Sequence, residues 1–339
     1  MPSPKAFEAY PLAFQPVMKV KPWGGDRLKK MFGKSASRKT GESWEISARA
    51  GEASVVANGT LKGIGLDRAI RDYGREILGR DLALRFAGTF PLLVKYLDCD
   101  GLMSIQVHPP DEYAYRHEKE TVGKTEAWYV VAADEKAKIV RGVLPGTTAD
   151  EFRRMIAGGK AEDSLNALDA KPGDVIFLPP GTIHTAGGGV VLLEVSQNSD
   201  LTYRVWDWNR PGADGKPRPL HVEKALQVID FYSMGVSKHK PIPLPGGRGA
   251  KRKLLLKCDK FTWEMMEMKS GTAAGPEHPD RFHILSPIEG KGEFLCGDAK
   301  RPKAHPFAAG QTFLMPAALG AYKIRAKGST RIVVTYVER

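Results

Sequence analysis

The tightest constraint on this chain is the rhythm of its apolar residues, which come in short runs closed by glycine or proline. PLLVKYL (91–97), AWYVVAA (127–133), DVIFLP (174–179) and VVLLEV (190–195) are rich in Val, Ile, Leu and aromatics. Runs of that length suit strands, and none approaches the roughly 18 apolar residues of a membrane span. Helical spacing is rarer. It predicts helices over LDRAIRDYGREIL (66–78), over TADEFRRMIAG (148–158) with Thr148 as cap, and over HVEKALQVIDFYSM (221–234).

A degenerate internal repeat suggests how the strands are organised. GDVIFLPPGTIHTAGGGVVLLEV (173–195) can be laid on GQTFLMPAALGAYKIRAKGSTRIVVTYV (310–337). Each has a glycine, β-rich residues, a proline, a small-residue turn and a hydrophobic strand. At 339 residues the chain can build two cores. The expected fold is mainly β: two jelly-roll barrels with a few inserted helices. Residues 1–237 would form the catalytic unit and 250–339 a second, metal-free unit, joined through the Pro/Gly-rich stretch 238–253. The position of His184 in the first copy becomes Ala321 in the second.

Charge is distributed unevenly. The net charge is +12, and residues 236–339 supply most of it, with 19 Lys and Arg against 9 Asp and Glu. The densest basic run, GGRGAKRKLLLK (246–257), leads into a strand and lacks the aromatic interleaving of a nucleic-acid surface. A solvated basic face is expected, with neither a nucleic-acid nor a membrane partner. The three cysteines, 99, 258 and 296, are too scattered for a disulfide framework, and no secretory signal is read. A reduced, cytoplasmic protein is expected, and its oligomeric state is left open.

Three segments carry candidate metal ligands. In LMSIQVHPPDEYA (102–114), strand alternation puts Ser104, Gln106 and His108 on one side before Pro109 and Pro110 stop the strand. In GKTEAWYVV (123–131), Lys124 and Glu126 share a face. In PPGTIHTAGGG (179–189), His184 sits in a turn between strands. Two imidazoles, a carboxylate and an amide oxygen form a zinc set, because borderline nitrogen donors with one compensating charge suit that ion.

These motifs, with KPWGG (21–25), GESWEIS (41–47) and LLEVSQNSDLTYRVWDW (192–208), resemble the type I mannose-6-phosphate isomerases in their short bacterial form. The resemblance implies a cupin-like fold for the two barrels and a zinc ion as cofactor. It implies Gln106, His108, Glu126 and His184 as metal ligands and an active-site arginine at Arg204. Lys124, Glu194 and Ser104 match active-site positions. The implied reaction interconverts mannose 6-phosphate and fructose 6-phosphate.

Aldose–ketose isomerisation moves a proton between C2 and C1 through an enediol, so it needs a base near carbon and a carrier for the hydroxyl proton. Glu194, after the apolar VVLL, and Lys124 are both candidates for the proton, and Arg204 for the developing enediolate charge. Zinc either polarises a sugar oxygen or holds the scaffold. Ser104, Lys95 and Arg204 are candidates for the substrate phosphate, and Trp23 for the pocket rim. In YRVWDW, alternation sets Arg204, Trp206 and Trp208 opposite Tyr203, Val205 and Asp207. Two other readings use the same residues: a metal-dependent cupin oxygenase built on two histidines and a glutamate, and a sugar-binding cupin without turnover.

Overall fold

The computed structural model describes residues 6–118, 120–212, 215–232, 238–247 and 249–338. The strands form four sheets. A six-stranded sheet runs in the order Val175–Leu178, Glu126–Ala133, Val190–Gln197, Leu92–Cys99, Val17–Gly25 and Thr40–Ile46. A five-stranded sheet runs Tyr203–Trp206, Ile105–Val107, His184–Gly187, Lys138–Val143 and Leu165–Asp169. The remaining strands form an eight-stranded and a four-stranded sheet, mostly from the last hundred residues.

The six-stranded sheet is the middle layer, and period-two alternation sorts its side chains. Val94, Tyr96, Tyr129, Leu193 and Val195 join Trp263, Ile284, Leu314 and Val333 in a core against the eight-stranded sheet. On the other face, Leu97, Trp128, Val130 and Leu192 pack with Ile139 and Ala186 of the five-stranded sheet. Because both faces are covered, VVLLEV is an almost unbroken apolar run rather than an alternating one. The lone charge in that run, Glu194, faces the five-stranded sheet.

The two jelly-roll barrels expected from the strand pattern are not present. The fold is mixed α/β, with four open sheets and none closed into a barrel. The six-stranded sheet has Val175–Leu178 at one edge, while toward the other Thr40–Ile46 pairs with both Leu92–Cys99 and Val17–Gly25; the five-stranded sheet ends at Tyr203–Trp206 and Leu165–Asp169. Their faces pack through side chains, and among the described residues no hydrogen-bond ladder joins them. Short alternating strands serve either arrangement equally, so the pattern alone does not choose between them. The N-terminal strand Leu12–Gln15 also crosses over, pairing with Phe313 and Leu314.

The helices at 66–78, kinked at Tyr73, and at 149–157 form where read, and Thr148 Oγ1 accepts from the Glu151 amide at 3.2 Å. The third is shorter than its pattern, Val222–Val228, because the Asp230 amide turns away to the Gly181 carbonyl. Residues 233 and 234 of that expected helix lie outside the described residues. The stretch 238–253 contributes a hairpin, Ile242–Leu244 against Ala250–Lys257, at the edge of the eight-stranded sheet. Its basic run is matched by acids: Arg252 is buried against Glu264, and Lys253 pairs with Glu267. Among the described residues no helix is long and apolar enough to cross a membrane, and the three cysteines are unpaired.

Candidate active site

Two rows of cross-strand neighbours build the site. Residues directly opposite in an antiparallel pair point to the same face. In the six-stranded sheet, Trp44 lies opposite Lys95, Lys95 opposite Glu194, and Glu194 opposite Trp128. Glu42 and Glu126, each two residues before one of those tryptophans, share the face. In the five-stranded sheet, Gln106 lies between His184 on one side and Arg204 on the other. The two rows look at each other across the gap between the sheets.

The histidines and Glu126 close this gap. His108 and His184 each direct Nδ1 at a backbone carbonyl, Leu201 at 2.7 Å and Thr182 at 2.8 Å. That bond makes Nδ1 the protonated nitrogen and leaves the Nε2 lone pair free. Both Nε2 atoms point at Glu126, at 3.5 Å from His108 and 3.2 Å from His184. One ligand atom from each of the three lies within 4.8 Å of the others, and all three residues are buried.

Electrostatics keep the donors in their ligating forms. Burial, followed by the Lys124 charge, pushes His108 down to about 4, and burial lowers His184 as well. Burial opposes ionisation of Glu126, but the Lys124 ammonium outweighs it and holds the carboxyl well below its usual range. Glu126 Oε1 is buried without a hydrogen-bond partner, while Oε2 faces the Lys124 ammonium. Two neutral imidazoles and an unsatisfied carboxylate oxygen converging on one point are what a divalent cation would complete, so these residues fit a metal.

Gln106 stands beside them with its amide nitrogen 3.3 Å from His184 Nε2, while Ser104 donates to its oxygen at 3.1 Å. A half-turn of the amide would present the oxygen to a metal instead.

Beyond the cluster, opposite charges alternate. Lys124 Nζ is 2.5 Å from Glu126 and 3.1 Å from Glu194. Lys95 is 3.8 Å from Glu194, 3.6 Å from Glu42 and 2.9 Å from Asp200. Its ammonium also lies 4.5 Å from the centre of the Trp44 ring. Burial alone would lower both lysines, but the carboxylates prevail and raise them, so they stay charged. Trp128 donates to Glu194 at 3.2 Å and Trp44 to Glu42 at 2.6 Å.

A cavity of about 210 Å³ opens on this array. Seven residues picked out in the sequence line it: Trp23, Lys95, Ser104, Gln106, Lys124, Glu194 and Arg204. His108, Glu126 and His184 converge beside it. Arg204 Nη1 donates to the Pro219 carbonyl at 3.0 Å. The cavity also exposes residues that sequence reading passed over, among them Glu42, Asp200, Arg218 and His221. Glu42 was within reach, since it alternates with Trp44 inside GESWEIS. Arg218 and His221 carried no local signal, because they come from an irregular segment after the last strand of the sheet.

Comparison with known proteins comes to the same place. The family model for the type I phosphomannose isomerase catalytic domain matches residues 12–152. The chain is 35% identical over 327 residues to the mannose-6-phosphate isomerase ManA of Bacillus subtilis, covering 96% of this chain and 99% of that one. It is 44% identical over 290 residues to a mannose-6-phosphate isomerase of Streptococcus mutans, covering 85% and 88%. The crystal structure of a Bacillus subtilis mannose 6-phosphate isomerase superposes with a TM-score of 0.86 at 34% identity, covering 97% of this chain and 100% of that one.

Proposed function

Because this chain belongs to the type I mannose-6-phosphate isomerase family, we propose that it interconverts mannose 6-phosphate and fructose 6-phosphate with the help of a zinc ion. The observation that carries this reading is the meeting of His108, Glu126 and His184 beside a cavity walled by Lys124, Glu194 and Arg204. The two Nε2 atoms and the Glu126 carboxylate would hold the ion, with the Gln106 oxygen as fourth donor. A bound zinc supplies Lewis acidity toward a sugar oxygen.

The chain's own groups divide the proton work. The Glu194 carboxylate takes the C2 proton of the open-chain aldose. The Lys124 ammonium, kept charged by Glu126 and Glu194, gives a proton to O1, so the C1 carbonyl becomes a hydroxyl and an enediol forms. Lys124 then recovers a proton from O2 while Glu194 returns its own to C1, which leaves the ketose. Lys95, with three carboxylates within 3.8 Å, keeps Glu194 in place and adds positive charge to the wall. Arg204 steadies the enediolate, and Ser104 offers a hydroxyl to the substrate. Trp23 forms part of the apolar wall.

A coupled assay for fructose 6-phosphate formation from mannose 6-phosphate tests this, run on zinc-replete and chelator-stripped protein. Turnover that disappears with the chelator and returns with zinc is expected. Metal-replete protein that turns over no aldose phosphate would exclude the reading.

A further inference from the structure

The backbone just past the strand Tyr203–Trp206 is held in an unusual shape. Trp208 and Asn209 are consecutive non-glycine residues with φ of 59° and 50°. This is the left-handed region, which L-residues enter at a cost and keep only when their surroundings insist. A set of side-chain hydrogen bonds does the insisting. Trp208 Nε1 donates to the Met103 carbonyl at 2.7 Å, and Arg210 Nη1 donates to the Leu102 carbonyl. Asp207, just 5% exposed, accepts from two arginines. Arg210 reaches it at 2.9 Å, and Arg218 in a two-pronged grip, Nε at 2.7 Å and Nη2 at 2.6 Å.

Arg218 is the member of this clamp that touches the cavity, on the same wall as Arg204, Ser104 and His221. Its charge is close enough to Arg204 to be, after burial, the largest influence lowering that guanidinium's pKa. Arg204 also keeps a buried Nε without a hydrogen-bond partner. Asp207 uses two nitrogens of Arg218, and Nη1 meets no hydrogen-bond partner among the described residues. Two neighbouring guanidiniums with unused donors, one anchored from behind by a buried carboxylate, form a seat for a dianion.

We propose that Arg218 is the residue that makes this site prefer a phosphorylated sugar over a free one, and that Asp207 is its positioning residue. This rests on the isomerase reading above and adds a selectivity element to it. Asp207 touches no substrate; it fixes the fork that does.

Steady-state kinetics on mannose 6-phosphate and on free mannose provide the test, with Arg218→Ala, Asp207→Asn and the double variant. Loss of one charge-assisted contact predicts a fall of about tenfold or more in the ratio of kcat/KM for the phosphate over the free sugar. The loss should appear in KM rather than kcat. Asp207→Asn should reproduce it, and the double variant should be no worse than Arg218→Ala. Equal losses on both sugars, or losses that multiply in the double variant, would overturn the proposal. Calorimetry with inorganic phosphate separates the two readings. Affinity that drops about tenfold in Arg218→Ala supports the seat even in a protein without isomerase turnover. Unchanged phosphate affinity in that variant overturns the seat even in an active isomerase.

Discussion

The strand that begins at Glu126 and the strand that begins at His283 occupy the same place in two halves of the molecule. The first lies between Val175–Leu178 and Val190–Gln197, and the second between Phe313–Met315 and Thr330–Tyr336. Both sets start from a left-handed glycine, Gly173 with φ 95° and Gly310 with φ 83°. Leu178 pairs with Glu126 and Met315 pairs with His283, each five residues past its glycine. In the first half Glu126 meets His184 Nε2 at 3.2 Å. In the second, His283 meets the Tyr322 hydroxyl at 3.1 Å, with Tyr336 edge-on to its ring.

One strand frame thus holds two different contents. Where the first half points a carboxylate and two imidazoles at one another, the second half packs a histidine among tyrosines. Glu264, beside Tyr336, is spent on the Tyr336 hydroxyl and Arg252. The proposed function rests on a few residues at strand ends, and the sheets that carry them hold either filling.

Substitutions at the paired positions sharpen this contrast. The largest effect is expected from Glu126→Gln, which removes the only carboxylate of the cluster. Zinc affinity should fall by more than the roughly 10–100-fold typical of losing an outer-shell partner, and turnover with it. Elemental analysis after dialysis measures the first and the coupled assay the second. His283→Gln should change neither; if it strips zinc, the two halves are not divided as described.

Glu194→Gln comes next, with an expected kcat loss of about 10²–10⁴ at unchanged zinc content. Full turnover would remove Glu194 as the base.

Smaller, and confined to stability, is Tyr322→Phe. It deprives the buried His283 Nδ1 of its partner and should cost about 1–3 kcal/mol in denaturant unfolding, with kcat and KM unmoved. A change in KM instead would tie the second half to the site.

The same histidine also predicts a pH dependence. Burial, and then Arg281, pushes His283 down to about 3 from 6.5. The unfolded chain therefore binds this proton first as pH falls, so stability is lost progressively between about 6.5 and 3. His283→Phe should flatten that part of the stability curve, and an unchanged slope would contradict it.

Much of the site was legible in the sequence because it rests on spacing within strands. Ser104, Gln106 and His108, and likewise Lys124 and Glu126, fall two apart, and period two carries them to one face. Helices were legible where a cap or an apolar stripe marked them, as at Thr148. Less legible was anything that depends on how elements meet. Nothing in the strand pattern separates open, stacked sheets from closed barrels, and nothing near the first strand announces that it pairs with Phe313 and Leu314. Arg218 was invisible for a related reason: its position is set by Asp207 across an irregular loop, with no periodicity to betray it.

Anomalous diffraction at the zinc edge, on crystals grown with excess zinc, tests the central claim most directly. A peak is expected about 2.0–2.2 Å from the Nε2 atoms of His108 and His184 and from a Glu126 oxygen, and none beside His283. A protein whose zinc sits elsewhere, or whose 108–126–184 cluster stays empty at saturating metal, would contradict it.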